Sequence, residues 1–559
     1  MSSHLCFFRV EANAGYSGPS TFPNQSIVPS RLSCRVRVQS SRAVVSTRQN
    51  ETLNINMPHS TSSPPEIMDA EDSVMSNAPA QALDAESNSQ PTEDSSMPDA
   101  STKSANNLEG MFDDDDDDDE FSSSAVALPT QSSQPEPTSQ KAAFSDSNIL
   151  SQFYQRLLPF RPLFQWLNHS ATPQPDFQHR EFAFTLPNGG YVRYQSFASA
   201  ELLRKACVQL VPERFEIGPQ YSINPRDRKT VLKAGSFRPV MKELVFDIDM
   251  TDYDPIRTCC SGAAICHKCW QFINMAIKVV DSALREDFGF QHILWVYSGR
   301  RGAHAWVSDK RAREMDDAKR RAIAGYLVLL TGGEHGKKMS IWRPLHPHLE
   351  RSLKLLNPHF QSDVLEDQDP WQTPEQTQKL LDLLPDTTLV AALQKKWDSA
   401  PDRTSAQKWA DIDSVAAAGH LSSLSTKQLV DVKQDIRLEY TYPRLDAEVS
   451  KKQNHLLKSP FVIHPGTGRV CVPIDARRIE EFDPLAVPTV TQLLQQIDEW
   501  HARNKDMSEE DKAKVADWQK TDLKPYVEYF KGHVANLLKE ESRGKRERAT
   551  DAGAESMEF

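Results

Sequence analysis

Residues 243–254 read ELVFDIDMTDYD. Taken as a strand with alternating side chains, the run puts Leu244, Phe246, Ile248 and Met250 on one face and Asp247 beside Asp249 on the other. Asp is disfavoured in strands, and neighbouring carboxylates repel unless something neutralises them. A divalent cation is the usual neutraliser, and hard oxygen ligands suit Mg²⁺ or Mn²⁺. The plainer alternative is an edge strand with a solvated polar face.

Downstream, Cys259, Cys260, Cys266 and Cys269 form CC-x5-C-x2-C and lead into a helix-like run from Trp270 to Leu284. Four thiolates suit a closed, structural Zn²⁺ site. The adjacent Cys259-Cys260 pair requires a bent backbone, which Ser261-Gly262 permits, and buried or free thiols are the alternative. Strands are expected at 293–298 and 303–308, joined by Gly299-Arg300-Arg301-Gly302, with His304 just inside the second. Paired guanidinium groups between glycines fit phosphate oxygens, although a double Arg at an exposed turn is otherwise ordinary.

Upstream, 181–186 and 191–197 look like strands around Asn188-Gly189-Gly190, a hairpin signal, and carry Glu181 and Arg193. Further on, Asp446 follows a Pro-interrupted strand and precedes His455, Lys458 and His464. A third carboxylate completes a two-metal phosphoryl-transfer site, and nearby Lys and His can hold a triphosphate. A surface loop with ordinary basic residues is the competing reading.

Charge is uneven along the chain. Residues 1–50 carry six Arg and one Glu, and residues 51–150 carry two Lys against 21 acids, so the remainder is near neutral and free to approach a polyanion. Residues 1–56 superficially suit an organellar transit peptide, but Pro19, Pro23 and Pro29 interrupt them and Met57 competes as a start. Residues 1–145 are expected to be a disordered, acidic low-complexity tail, with Asp113–Asp119 either solvated or a docking peptide. A mixed α/β core is expected over 146–343 and 437–490, interrupted by a helical insertion at 344–436. Helices are expected over 491–542, one starting at Ser508-x-x-Asp511, and a frayed tail over 543–559. Eight scattered or clustered cysteines in a chain this long suit a reducing compartment, and no apolar run is long enough to span a membrane.

LVFDIDMT also fits the opening strand of haloacid-dehalogenase-like phosphatases, in which the first Asp is a nucleophile. Those enzymes need a further acidic motif on a parallel sheet, and Asp411-Ile412-Asp413 has the wrong surroundings. A zinc-stabilised nucleic-acid-binding subunit without catalysis is the alternative from another class, and the intact carboxylates argue against it.

HREFAFTL, YVRYQSF, KELVFDIDMTDYD, CC-x5-C-x2-CW, LWVYSGRRGAHAWV, YPRLD, HLLKSPF and HPGTGRVCVPID occur in that order between about residues 148 and 490. Together they resemble the catalytic small subunits of eukaryotic DNA primases, of the archaeo-eukaryotic primase family. The resemblance implies a mixed α/β core with an RNA-recognition-motif-like sheet, a structural zinc motif and a helical insertion. It implies that Asp247, Asp249 and Asp446 hold two Mg²⁺ or Mn²⁺ ions, and that Cys259, Cys260, Cys266 and Cys269 hold Zn²⁺. Glu181 would be a further catalytic residue. Arg193, Ser298, Gly299, Arg300, Arg301, Gly302, His304, His455, Lys458 and His464 would bind nucleotide. The implied activity is a DNA-directed RNA polymerase that makes short RNA primers from ribonucleoside triphosphates on single-stranded DNA. The implied setting is a heterodimer with the primase large subunit, bound to DNA polymerase alpha in the nucleus.

Overall fold

The structure is a computed structural model that describes residues 146–555 apart from 232, 234 and 330–340. The expected tail, with its Asp113–Asp119 run and Met57, lies outside the described residues.

Asn188-Gly189-Gly190 turns the chain between β1 (Arg180–Thr185) and β2 (Tyr191–Gln195), with Gly189 at φ +84°, where a side chain would be strained. Phe182 and Phe184 of β1 meet Phe215 of β3 (Arg214–Tyr221), and all three rings are fully buried. With β4 (Pro239–Met241), these strands form an antiparallel sheet ordered β2-β1-β3-β4.

Two residues later the chain enters β5 (Leu244–Asp249), which opens a second antiparallel sheet. Leu244, Phe246 and Ile248 are buried as their alternation demands, whereas Asp247 and Asp249 are partly open. Val245 is buried as well, so the polar face opens only toward the end of the strand. The sheet continues through β6 (Ile293–Tyr297) and β7 (Gly302–Val307) in the order β5-β7-β6, and β9 (Pro473–Ile474) lies beyond β6. The two-residue strand β8 (Leu457–Lys458) belongs to the first sheet, on β3. Because β5 pairs antiparallel with β7 and lies at the sheet edge, the parallel-sheet phosphatase alternative does not fit the chain.

The junction between the sheets is heavily tied. Arg180 at the start of β1 donates to Glu243 at 2.6 Å with both side chains buried, and Arg320 donates to the carbonyls of Glu243 and Met315 at 3.2 and 3.0 Å. Behind the second sheet, the helix His267–Glu286 buries Trp270, Phe272, Ile273, Met275 and Ile277.

The insertion is helical: Pro347–His359, Pro374–Leu383, Thr387–Asp398, Ser405–Ala417 and Thr426–Thr441, with a wider π-helical stretch at Phe360–Gln368. Its last helix reaches Thr441, so Asp446 follows a helix and an extended Tyr442-Pro443 step, not the Pro-interrupted strand expected from sequence. The region to Pro473, read as strand and turn, holds only short pieces, because its backbone is spent on loops that wrap the site. At the C-terminal end, Ser508 caps Glu509–Lys514 as its motif predicts. The final helix, Lys524–Glu555, runs through residues 543–555, whose sequence reads as frayed.

Candidate active site and four-cysteine centre

The open edge of β5 is where the third carboxylate arrives. The amide of Asp446 donates to the carbonyl of Asp247 at 3.2 Å, which fixes residue 446 beside the strand without any side chain. Asp446 then caps the short helix Ala447–Lys451 by accepting from the Glu448 amide at 3.0 Å. Burial, and then the charges of Asp249 and Asp446, push the Asp247 carboxyl up to about 7. Asp252, on the single turn Met250–Tyr253, is lifted to about 6 by burial and by the same two neighbours. Four acidic side chains therefore share one electrostatic neighbourhood.

Their counter-charges come from the hairpin and from β8. Arg301 donates to both Asp249 oxygens at 2.8 and 3.0 Å, and Thr251 donates to the same carboxylate through its amide and hydroxyl at 2.8 and 2.7 Å. His304 pairs with Asp247 in the β5–β7 register, and its Nε2 lies 3.5 Å from the Asp247 carboxylate. Burial, with Lys458 nearby, lowers His304 to about 3, so the ring is neutral. Lys458 reaches from the first sheet to the second and donates to the Ser298 carbonyl at 3.2 Å.

The Ser298–Gly302 turn is tightly held. The Ser298 hydroxyl accepts from the Gly302 amide at 3.0 Å, and Thr467 donates to the Gly299 carbonyl at 2.7 Å. A Cβ on Gly302 would stand 2.2 Å from the Ile248 carbonyl oxygen, and one on Gly299, at φ +88°, would stand 2.5 Å from His464. Both glycines are there because the Ile248 backbone and the His464 β-carbon come too close for a side chain. Burial, followed by Lys458 and Arg300, lowers His464 to about 3, and its side chain packs against Gly299 of the turn.

A second group lies on the first sheet. Glu181 is fully buried and accepts from the Arg193 guanidinium at 3.1 Å, the Tyr194 amide at 3.1 Å and the Tyr221 hydroxyl at 3.0 Å. Burial, Lys242 and Arg193 lower the His455 ring to about 4. The Lys242 ammonium donates to the His455 carbonyl, and burial lowers its own pKa to about 7.

The four cysteines apart, the expected site residues fall into two adjoining clusters, one around Asp247 and one around Glu181, joined by β8. Reading the sequence missed Asp252, Tyr221 and Lys242. Asp252 stands in the opening motif, but its approach depends on the turn that Asp249 caps; Tyr221 and Lys242 read as ordinary strand-flanking residues.

The cysteines converge as their spacing suggests. The four sulfurs lie within 4.8 Å of one another, with Cys266 3.5 Å from Cys259 and 3.9 Å from Cys269. A tetrahedral Zn²⁺ with bonds of about 2.3 Å sets sulfurs roughly 3.8 Å apart, so the donor set fits that ion. Among the described residues this is the one group of three or more potential ligands drawn so tight; the aspartates are spread wider, with Asp249 turned onto Arg301. Gln368 reaches in from the insertion, accepting from the Thr258 amide at 2.8 Å and donating to Cys259 Sγ at 3.4 Å.

A family model described as DNA primase small subunit matches residues 246–476. The DNA primase small subunit of Schizosaccharomyces pombe is 51% identical, over 74% of this chain and 93% of that protein. That of Saccharomyces cerevisiae is 44% identical, over 74% of this chain and 97% of that protein. The chain belongs to the DNA primase small-subunit family. It is a primase catalytic subunit, and such enzymes synthesise RNA primers for DNA replication. The polymerase domain of ligase D from Mycobacterium tuberculosis, solved with DNA, is similar at 13% identity over 66% of this chain and 96% of that one; its TM-score of 0.29 is too low to carry an argument.

Proposed function

We propose that primer synthesis takes place where Asp247, Asp249 and Asp446 meet, from ribonucleoside triphosphates paired to a single-stranded DNA template. The observation that carries this reading is the amide-to-carbonyl bond between Asp446 and Asp247, which sets two acidic residues from remote parts of the chain side by side at a strand edge. Burial together with mutual repulsion, lifting Asp247 to about 7, is what a donor set for hard divalent cations looks like before a cation is bound. When bound there, Mg²⁺ or Mn²⁺ supplies charge neutralisation at the leaving pyrophosphate and activates the 3′-hydroxyl.

The chain's own residues do the positioning. Arg300, Arg301, Lys458 and His464 surround the turn Ser298–Gly302 and present cationic and hydrogen-bonding groups to a triphosphate. Arg301 is paired with Asp249, and it would be free to hold phosphate where that carboxylate held a cation instead. Neutral His304 holds Asp247 in place without cancelling its charge. Glu181, Arg193 and His455 form the second nucleotide-contacting group. The four cysteines hold Zn²⁺ as a structural ion that fixes the start of the helix His267–Glu286. As in the family it resembles, the chain works in the nucleus with a primase large subunit and DNA polymerase alpha. No helix among the described residues is long and apolar enough to cross a membrane.

The test is template-dependent incorporation of labelled ribonucleotides. Asp247→Ala and Asp446→Ala abolish dinucleotide synthesis with an unchanged circular dichroism spectrum, and synthesis retained in either variant overturns the assignment. Arg300→Ala raises the apparent KM for nucleotide, and an unchanged KM rejects its phosphate-holding role.

A further inference from the structure

Beyond the carboxylates, the first sheet and the loop after it carry a surface that the catalytic reading uses only at Arg193. Between residues 193 and 238 the chain has nine Lys or Arg and four Asp or Glu. Aromatic rings interleave with these cations. Tyr194, at φ +58°, has the Arg228 guanidinium 4.2 Å and the Arg193 guanidinium 4.8 Å from its ring centre. Phe237 stacks on Tyr221 at 4.1 Å with the planes 6° apart, and stands edge-on to Tyr194 at 6.0 Å. Arg226 lies 5.1 Å over Phe197. It borders a hollow of about 420 Å³ whose wall includes Ser196, Phe197, Leu202, Lys205 and Asn224.

Cations that alternate with rings match one ligand chemistry, a chain of phosphates carrying bases that can stack. The folded core gains little from holding such a surface: Arg226 and Lys205 are exposed, Leu202 is 49% exposed, and Phe237 is only partly covered. The strained Tyr194 backbone is held by its amide bond to Glu181, so the platform is continuous with the second nucleotide-contacting group. Asp227 lies between Arg226 and Arg228 in the sequence, and Arg193 pairs with Glu181 at 3.1 Å.

We infer that this arginine–aromatic face, from Tyr194 and Phe237 across Arg228 and Arg226 to the hollow beside Phe197, is a track for the single-stranded DNA template. The rings seat unpaired bases, and the guanidinium groups take the phosphates between them. The inference rests on the primase reading for the identity of the strand, while its test needs neither nucleotide nor catalysis.

The experiment measures binding of a fluorescently labelled homothymidine strand to the full chain by anisotropy across a salt series, without nucleotide or divalent metal. The double variant Arg226→Ala/Arg228→Ala binds about tenfold more weakly, and its plot of log affinity against log salt is shallower by about 1.4, since each lost phosphate contact on a single strand is worth roughly 0.7. Phe237→Ala weakens binding without changing that slope, because stacking releases no counterions. If the double variant melts early, Arg226→Ala alone, at an exposed side chain, carries the test with half the change in slope. Wild-type affinity and slope in these variants overturn the inference. So does an unchanged DNA affinity accompanied by a raised KM for ribonucleotide, which would assign the face to triphosphate instead. Loss of primer synthesis in Asp247→Ala stands apart from either result.

Discussion

Asp247 carries the largest conflict at the site. Its folded pKa, about 7, exceeds that of a free Asp side chain, so between about pH 4 and 7 the native state binds more protons than the unfolded chain. Stability of the cation-free protein therefore falls as pH rises through that window, and Asp247→Asn removes the loss. In EDTA, melting temperature drops from about pH 5 to pH 8 more steeply in the wild type than in Asp247→Asn, which is the more stable of the two at pH 8 by on the order of 1 kcal/mol. Added Mg²⁺ then raises the wild-type melting temperature and not the variant's. Equal pH slopes in the two proteins would show that burial and repulsion do not raise this carboxyl. At the other cluster, Tyr221→Phe takes one donor from the buried Glu181, which costs about 1–3 kcal/mol in urea unfolding and raises the KM for nucleotide. The Asp pair was legible in the sequence because a strand that buries Leu244, Phe246 and Ile248 leaves 247 and 249 with nowhere else to point. Tyr221 was not, since a Tyr at the end of a strand is ordinary until its hydroxyl is seen to meet Glu181.

Among the elements, the hairpin of β6 and β7 shows most plainly why spacing could be read ahead of structure. Gly299 and Gly302 bracket two arginines, and the structure makes both glycines obligatory for steric reasons. Gly302→Ala forces β7 away from β5, lowers stability by about 2–3 kcal/mol in urea titration, and abolishes primer synthesis because Arg301 and His304 shift with the strand. The four cysteines are the other legible element. Cys266→Ser lowers zinc content measured by atomic absorption, and it frees the start of the helix His267–Glu286 to early hydrogen exchange. The stretch from Tyr440 to Pro473 was legible only in part: its turns and short strands are there, but Pro and Gly mark where regular structure stops and do not show what replaces it. Here the replacement is a helix end, a capped turn around Asp446 and loops pinned by backbone bonds such as Phe461 to Cys471 at 2.7 Å.

At the level of the whole molecule, the two clusters keep their spacing because the sheets are fastened at Lys242-Glu243. Arg180, Glu243 and Arg320 are all fully buried there, and removing one charge leaves another without its partner. Glu243→Gln lowers stability by about 3–5 kcal/mol in chemical unfolding, far more than any exposed ion pair on the surface. None of this junction was visible in the sequence, since Arg180 and Arg320 lie far from Glu243 along the chain and no periodicity links them. The meeting of Asp446 with Asp247 was likewise beyond periodicity, and resemblance to known primases supplied that expectation. Because the amide of Asp446 finds the carbonyl of Asp247 only after the whole helical insertion has been laid down, a polypeptide still emerging from the ribosome has its Ser298–Gly302 turn long before it has its third acid. A chain cut short before residue 446 therefore carries two of the three proposed metal-binding acids and none of His455, Lys458 or His464, so both halves of the proposed machinery are incomplete in it.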